Sequence, residues 1–397
     1  MTKADANRVG LAFIEEAVYG AGGGSNTLQD LRITSESFGQ DNDTAISQEL
    51  RSDRQVADLI RTNKLTSGGF NGELSYGTYD EFFRSLMATD SWVAETADVG
   101  ASDSIELVIA AAGDTITASS GTPFTAAVGE WIKLGGATAA ANNSVFKVTA
   151  ASSSVLTVEP TNVLVDETIT ADGAGANGTV TVASEAVNST NSPESFYFER
   201  VYGDLSNEFA AFYGEGVAGH TLTVEPGAIV TLAFEFLGKS ETSVTATEGD
   251  GSNTAATTTT VMNAIDNVEF IMEGSEAYAC TAYNHAITPN LRARQVIGTL
   301  GAESLGHGTI GVTGGHTAFY EDKTIMDKHL DMTASNIAVV FKDDAGNYLI
   351  FDYPRVKYSN GRRVGGGINQ DVLAEMEWTA IRESTEDVTV RIAKIDA

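Results

Sequence analysis

Five histidines, one cysteine and an abundance of carboxylates are the residues here with chemistry to offer. His220, His285, His307, His316 and His329 are scattered, and none makes a close His-x-x-x-His pair. His307 and His316 come nearest to a metal set, but they read as loop histidines. Cys280 is alone, which excludes a disulfide or a cysteine-based metal site within one chain. "GHGTIG" (306–311) has dinucleotide-loop spacing, yet "VTGGH" follows it where a helix is required. "LGKS" (237–240) ends like a phosphate-binding loop, but Ala233 stands where its first glycine belongs. "DNDTA" (41–45) opens like a calcium loop without the glycine or the closing glutamate. Acidic residues number 54 among 397, so any pair of them could be named and none is singled out. The expectation is no catalytic, cofactor-binding or metal-ligating residue, and no cofactor.

Positive charge is the scarcer resource. Against those 54 acids stand 24 Lys and Arg, a formal net charge of −30. That balance favours solubility and argues against a nucleic-acid-binding surface, which needs clustered cations. Yet "SQELRSDRQVADLIRT" (47–62) gathers Arg51, Arg54 and Arg61, with Arg32 upstream. Arg51, Asp53, Arg54 and Asp58 mix both signs, which suits salt bridges to a neighbouring subunit better than phosphate contacts. The bland alternative is a solvated surface helix. The stretch around it, about 26 residues from Gly39, has neither a clean strand period nor a clean helix period, and is long for a plain loop.

The elements that would position such an arm are mostly strands. Six prolines stand against 40 glycines, with much Ala, Thr and Ser, as expected of strands with tight turns. Residues 8–38 suggest two strands around "GAGGGSN". Phe70, Gly72, Leu74 and Tyr76 alternate with polar positions. A helix should follow from a capping box, Thr78 with Glu81, and bury Tyr79, Phe82, Phe83, Leu86 and Met87. Residues 97–190 differ in composition, with ten Asp/Glu and two Lys, and carry short recurrent strand patterns; they read as a small inserted β domain. Val230, Leu232, Phe234 and Phe236 share a face of a strand, residues 239–260 suggest a mobile loop, and hairpin turns are expected at Asp344–Asn347 and Asn360-Gly361. No internal repeat is evident. The start, "MTKADANRVGLAFIEEA", lacks signal-peptide character, and no stretch approaches 18 apolar residues, so a cytoplasmic product without a membrane span is expected.

"LRITSESFGQDNDTAISQELRSDRQVADLIRT" with "GGFNGELSYGTYDEFF" resembles the major tail tube proteins of long-tailed bacteriophages. So do "SFYFERVYGD", "IVTLAFEFLGKS", "NAIDNVEFIMEG", the stretch "PNLRARQVIGTLGAESLGHGTIGVTGGHTAFYEDKTIMDK" and "GNYLIFDYPRVKYSNGRRVGGGINQDVLAEMEWTA". The resemblance covers nearly everything outside 97–190. It implies a mainly β fold, a sandwich or incomplete barrel with a flanking helix, over 1–96 and 191–397, with 97–190 as an external insert. It also implies hexameric rings stacked into a tube through which genomic DNA passes without specific binding, in a virion tail assembled in the host cytoplasm. The partners would be further copies, the tail tip or baseplate, the tape-measure and the tail-terminator proteins, and no membrane. Under this reading Gln48, Glu49, Arg51, Asp53, Arg54, Asp58 and Arg61 form a subunit-interface arm, and Glu235, Asp371, Glu375 and Glu377 are candidates to line an acidic lumen. The competing classes are a surface β-module that binds glycans and, less favoured, a carboxylate-dependent hydrolase.

Overall fold

Alternation of apolar and polar residues dominates the chain, and the fold is accordingly mainly β. The structure, a computed structural model, describes residues 3–170 and 178–397. A first group of elements runs β1 (Val9–Glu15), β2 (Leu28–Leu31), β3 (Ser35–Glu36), β4 (Gly39–Ile46), β5 (Leu59–Glu73) and α1 (Asp80–Leu86). An eight-stranded sheet follows, made of β6 (Thr96–Val99), β7 (Leu107–Ala110), β8 (Thr115–Ala118), β9 (Trp131–Gly135), β10 (Val145–Ala151), β11 (Val155–Glu159), β12 (Glu167–Ile169) and β13 (Thr179–Val182). The chain returns through β14 (Ser184–Val187), β15 (Phe196–Tyr202), β16 (Phe209–Val224), β17 (Thr231–Gly238), β18 (Ser240–Val244) and β19 (Asn253–Thr254). The last third holds β20 (Val268–Glu273), β21 (Glu276–Ala277), β22 (Ala282–Thr288), β23 (Arg292–Arg294), β24 (Ser304–Gly306), β25 (Gly311–Phe319), α2 (Thr324–Leu330), β26 (Ser335–Lys342), β27 (Tyr348–Gly365), β28 (Val372–Ala380) and β29 (Arg391–Ile395).

The pairings reveal the same unit built twice. In the first, β5 joins β4 to β17, and β17 joins the C-terminal half of β16. In the second, β25 joins β22 to β28, and β28 joins the C-terminal half of β27. The N-terminal half of each long strand belongs to a back layer: β16 sits there between β15 and β18, and β27 between β26 and β29. β1 then pairs β15 as β20 pairs β26. Each unit has one short helix, between its hairpin and its back layer. The units join where β16 pairs antiparallel with β22, which makes a front sheet of eight strands, β4-β5-β17-β16-β22-β25-β28-β27.

Residual sequence marks the duplication once the register is known. Both long strands carry a bulge, between Val217 and Gly219 in β16 and between Tyr358 and Asn360 in β27. Aligning the bulges places Glu235, opposite Gly219, over Glu377, opposite Asn360. The next strand then aligns Gly68-Gly69 with Gly314-Gly315. Close approach requires glycine at positions 68, 69 and 314. A Cβ on Gly69 would lie 1.9 Å from the Phe234 carbonyl oxygen, and one on Gly314 would lie 2.2 Å from the Trp378 ring.

Several details differ from the sequence expectations. Asn360-Gly361 is a bulge inside continuous β27 rather than a turn, with the Asn360 side chain accepting from the Gly361 N–H. Thr78 does not cap α1; its hydroxyl lies against those of Ser75 and Thr257, and the helix begins after Tyr79. The stretch taken as a mobile loop includes β18, paired along β16. The insert sheet closes at Val182, and β14 already pairs with β29 of the main fold.

One large core lies between the layers. Phe82 of α1 stacks near Phe198 at 5.9 Å and packs against Phe234 at 5.5 Å, so a helix too short to be stable alone is held by aromatic burial. His220, His285 and His316 are buried on adjacent strands in this core, their Nε2 atoms without partners. Burial lowers His220 to about 3 and His316 to about 4, and His285 well below its ordinary value. The unfolded chain therefore binds these protons first. Their contribution to stability is complete above about 6.5 and is lost as pH falls towards 4. Glu215 and Glu194 have the opposite sign: burial raises them to about 8 and about 7, and their contribution is lost as pH rises through those values. In a His220→Phe, His316→Phe variant, urea unfolding at pH 7 and pH 5 should show an acid loss smaller than that of the parent by about 2–4 kcal/mol, from about 1.4 kcal/mol per pH unit for each histidine. Equal losses would contradict this account of the core.

Candidate assembly surfaces

β4 and β5 pair from Gly39 with Ser67 out to Ile46 with Leu59, and the outer half projects from the sheet as a hairpin. The arm is therefore a β-hairpin rather than a helix. Its strand period was hidden because both faces of its outer half are exposed. Gln48, Glu49, Arg51, Asp53, Arg54, Asp58 and Arg61 are all exposed at or near its tip. Arg51 is bonded to Asp53 at 2.9 Å within the tip, so part of the mixed charge is already paired inside the chain. Arg32 does not belong to the arm; its guanidinium donates to the Thr259 carbonyl at 2.7 Å. Sequence reasoning also missed the apolar content. Ile46, Leu50, Val56, Leu59 and Ile60 are each more than half exposed, Leu50 completely. Hydrophobic side chains along a projecting hairpin are the mark of a surface that meets a partner.

The second unit has its own arm, residues 289–310 between β22 and β25, tied by the short β23–β24 pair. Its tip exposes Val296, Ile297 and Leu300. Its base is folded back onto the first unit: Ala302 and Leu305 are buried, and Leu305 and Leu291 close over Gly216 of β16.

The front sheet has one buried and one exposed face. Phe234, Phe236, Leu222, Ile287, Val312, Met376 and Trp378 point into the core. The opposite face carries Ser67, Asn71, Thr221, Thr223, Thr231, Asn284, Thr313, Thr317 and Thr379, small and polar. Glu235 and Glu377 stand on this face, and Glu375 joins them paired with Arg362 at 2.5 Å. Asp371 sits apart, in the turn before β28. Lys357 is the cation opposite Thr379. At one end of the sheet, β3 and β4 have no strand partner besides β5; at the other, Lys357–Gly365 pairs with β28 alone among the described residues.

The insert packs on the back layer of the second unit. It has a core of its own, with Ile116, Ile132, Phe146, Leu156 and Val180. A second cluster is shared, in which Trp131 and Val145 meet Met272, Ala338, Val340, Tyr348 and Ile350. Charge is buried at this junction. Lys147 of β10 reaches Asp352 at 3.0 Å and Glu386 at 3.2 Å, while Arg391 meets Glu185 at 2.7 Å and Glu386 at 2.8 Å. The Trp131 Nε1–H also donates to Asp352. Burial alone would lower the Lys147 pKa, but Asp352 and Glu386 outweigh it and hold the ammonium charged.

Projecting arms, a polar-faced open sheet and, among the described residues, two strand edges without partners leave a sheet that a neighbour could extend. The comparison of sequences agrees: a profile of the family described as phage tail tube protein matches residues 6–380, and the chain belongs to that family. It is thus a structural protein of the phage tail that assembles with itself into a tube. A comparison with curated proteins found no match.

Neutralising Lys147 removes one of the two cations, Lys147 and Arg391, that meet the buried carboxylates of Asp352 and Glu386. Lys147→Met should cost about 3–5 kcal/mol in urea unfolding. It should shift the insert and main-fold transitions together, as followed by Trp131 and Trp378 fluorescence in single-tryptophan backgrounds. A loss below about 1 kcal/mol would mean that the ion cluster does not hold the insert.

Proposed function

We propose that copies of this protein close into rings through their front sheets, that the rings stack into the tail tube with six-fold character, and that the tube conducts DNA into the host during ejection. The observation that carries this reading is the open eight-stranded sheet with one polar face and two edges that, among the described residues, lack a further strand partner. Unsatisfied sheet edges invite pairing, and a closed barrel of subunits removes them. The polar face then becomes the channel wall. Its threonines, serines and asparagines carry no charge, and Glu235, Glu375 and Glu377 outnumber Arg362 and Lys357, which tilts it towards the acidic side. Such a wall repels phosphates and avoids the counterion release that would hold DNA in place. Asp371, in its turn, belongs to the rim. The insert lies against the back layer, opposite the polar face, and so belongs on the tube exterior.

The first arm supplies the contact between subunits. Ile46, Leu50, Val56, Leu59 and Ile60 form its apolar centre, and Gln48, Glu49, Arg51, Asp53, Arg54, Asp58 and Arg61 its polar rim, the usual anatomy of a protein interface. Tape-measure, tail-tip and terminator proteins are the further partners in this reading, which assigns the chain a structural role and no catalysis. Leu50→Asp with Ile60→Asp tests it. Both positions are exposed, so the free protein should unfold within about 0.5 kcal/mol of the parent. Electron microscopy should show tubes for the parent and none for the variant. Tubes of equal number and length would remove the arm from the interface.

A further inference from the structure

Duplication changes the count of chains in a ring. One junction between units is already visible inside the chain, where β16 pairs with β22: Thr221 lies opposite Ala286, and Thr223 opposite Asn284. Through the aligned bulges, Thr221 and Thr223 correspond to Arg362 and Val364 of β27. Through the aligned glycine pairs, Asn284 and Ala286 correspond to Ser37 and Gly39. The strands that lack partners at the two ends of the front sheet are therefore the two halves of the same junction.

We propose that a tube ring contains three chains rather than six, with the β27 edge of each copy pairing with the β3–β4 edge of the next in the register that β16 and β22 use inside the chain. This rests on the tube reading above and fixes its stoichiometry. Val364 then faces Ser37 of the next copy, and Arg362 faces Gly39. The arms follow the same rule. The second arm lies over Gly216 within the chain, so the first arm, left exposed, lies over the equivalent position, Lys357, of the preceding copy. In the free chain the waiting edge is masked by side chains rather than left bare. The Phe38 N–H donates to Glu36 at 3.1 Å, Arg200 donates to the Phe38 carbonyl at 2.8 Å, and the Gln40 N–H donates to Glu241 at 3.0 Å. Ring closure exchanges these bonds for ladder bonds, which keeps the subunit soluble until it docks.

Barrel dimensions favour the same number. With strands about 4.8 Å apart and tilted about 40°, two chains close at about 32 Å between backbones, three at about 48 Å and six at about 96 Å. A duplex roughly 20 Å across, a screening layer of about 8 Å on each side and side chains reaching about 5 Å inward need about 46 Å. Three chains are the smallest ring that leaves this room, and six leave it far oversized.

Two measurements test the proposal. An electron cryomicroscopy map of assembled wild-type tubes should show three inserts around each ring. Six inserts per ring would overturn the stoichiometry, and failure of the wild-type protein to form any tube would overturn the tube reading instead. In a Cys280→Ser background, Ser37→Cys with Val364→Cys places two thiols at facing positions across the proposed junction. Oxidised tubes should give a ladder on a non-reducing gel that ends at the covalent trimer. A ladder continuing to six would again overturn the count. Tubes that form without cross-linking would overturn the register.

Discussion

Every backbone amide and carbonyl in a sheet must find a partner, and this requirement governs the rest of the molecule. Eight strands of the front sheet satisfy one another internally, and the sheet ends in two edges whose outer sides meet no strand among the described residues. One face of that sheet is sealed by an aromatic core shared with the back layer. The other face is small, polar and exposed. In the proposed tube such a sheet finds its missing partners in further copies, and the geometry of closure decides which face becomes the channel.

Duplication supplies both the problem and its solution. In the proposed ring, the β16–β22 junction is the internal counterpart of the one between copies. The second arm shows where an arm belongs, because it is already folded over Gly216. The insert is the largest break in the symmetry. It interrupts the first unit between α1 and β15, yet it docks on the back layer of the second through Trp131, Val145 and the buried Lys147–Asp352 pair. A module with its own core is thereby fixed rigidly, at the cost of burying charges that must stay paired.

How much of this the sequence carried depended on burial. The alternation of Val230, Leu232, Phe234 and Phe236 was legible because one face is fully buried and the other is not. The apolar set of α1 was legible for the same reason, although its cap was not, since Thr78 spends its hydroxyl on tertiary partners. The arm concealed its strands because a hairpin that meets no partner within the chain needs no alternation. Its charged residues drew attention, and the apolar ones between them, which are the stronger evidence of an interface, were passed over. Asn360-Gly361 imitated a turn because bulges and turns call on the same residues. The duplication escaped notice because it survives mainly as register. Two glycine pairs and the matched Glu235 and Glu377 are too few to stand out until strand pairing shows that they occupy equivalent places.

Hydrogen exchange of the free subunit and of assembled tubes is the most direct test of the constraint on which this account depends. The amides of Thr221–Val224, paired inside the chain, should be protected in both states. The amides of Gly361–Gly365 that point away from β28, and those of Phe38 and Gln40, which only side chains hold in the free subunit, should exchange faster there and become more protected on assembly. If the edge amides exchange as fast in tubes as in the free protein, the front sheets do not join, and the account fails.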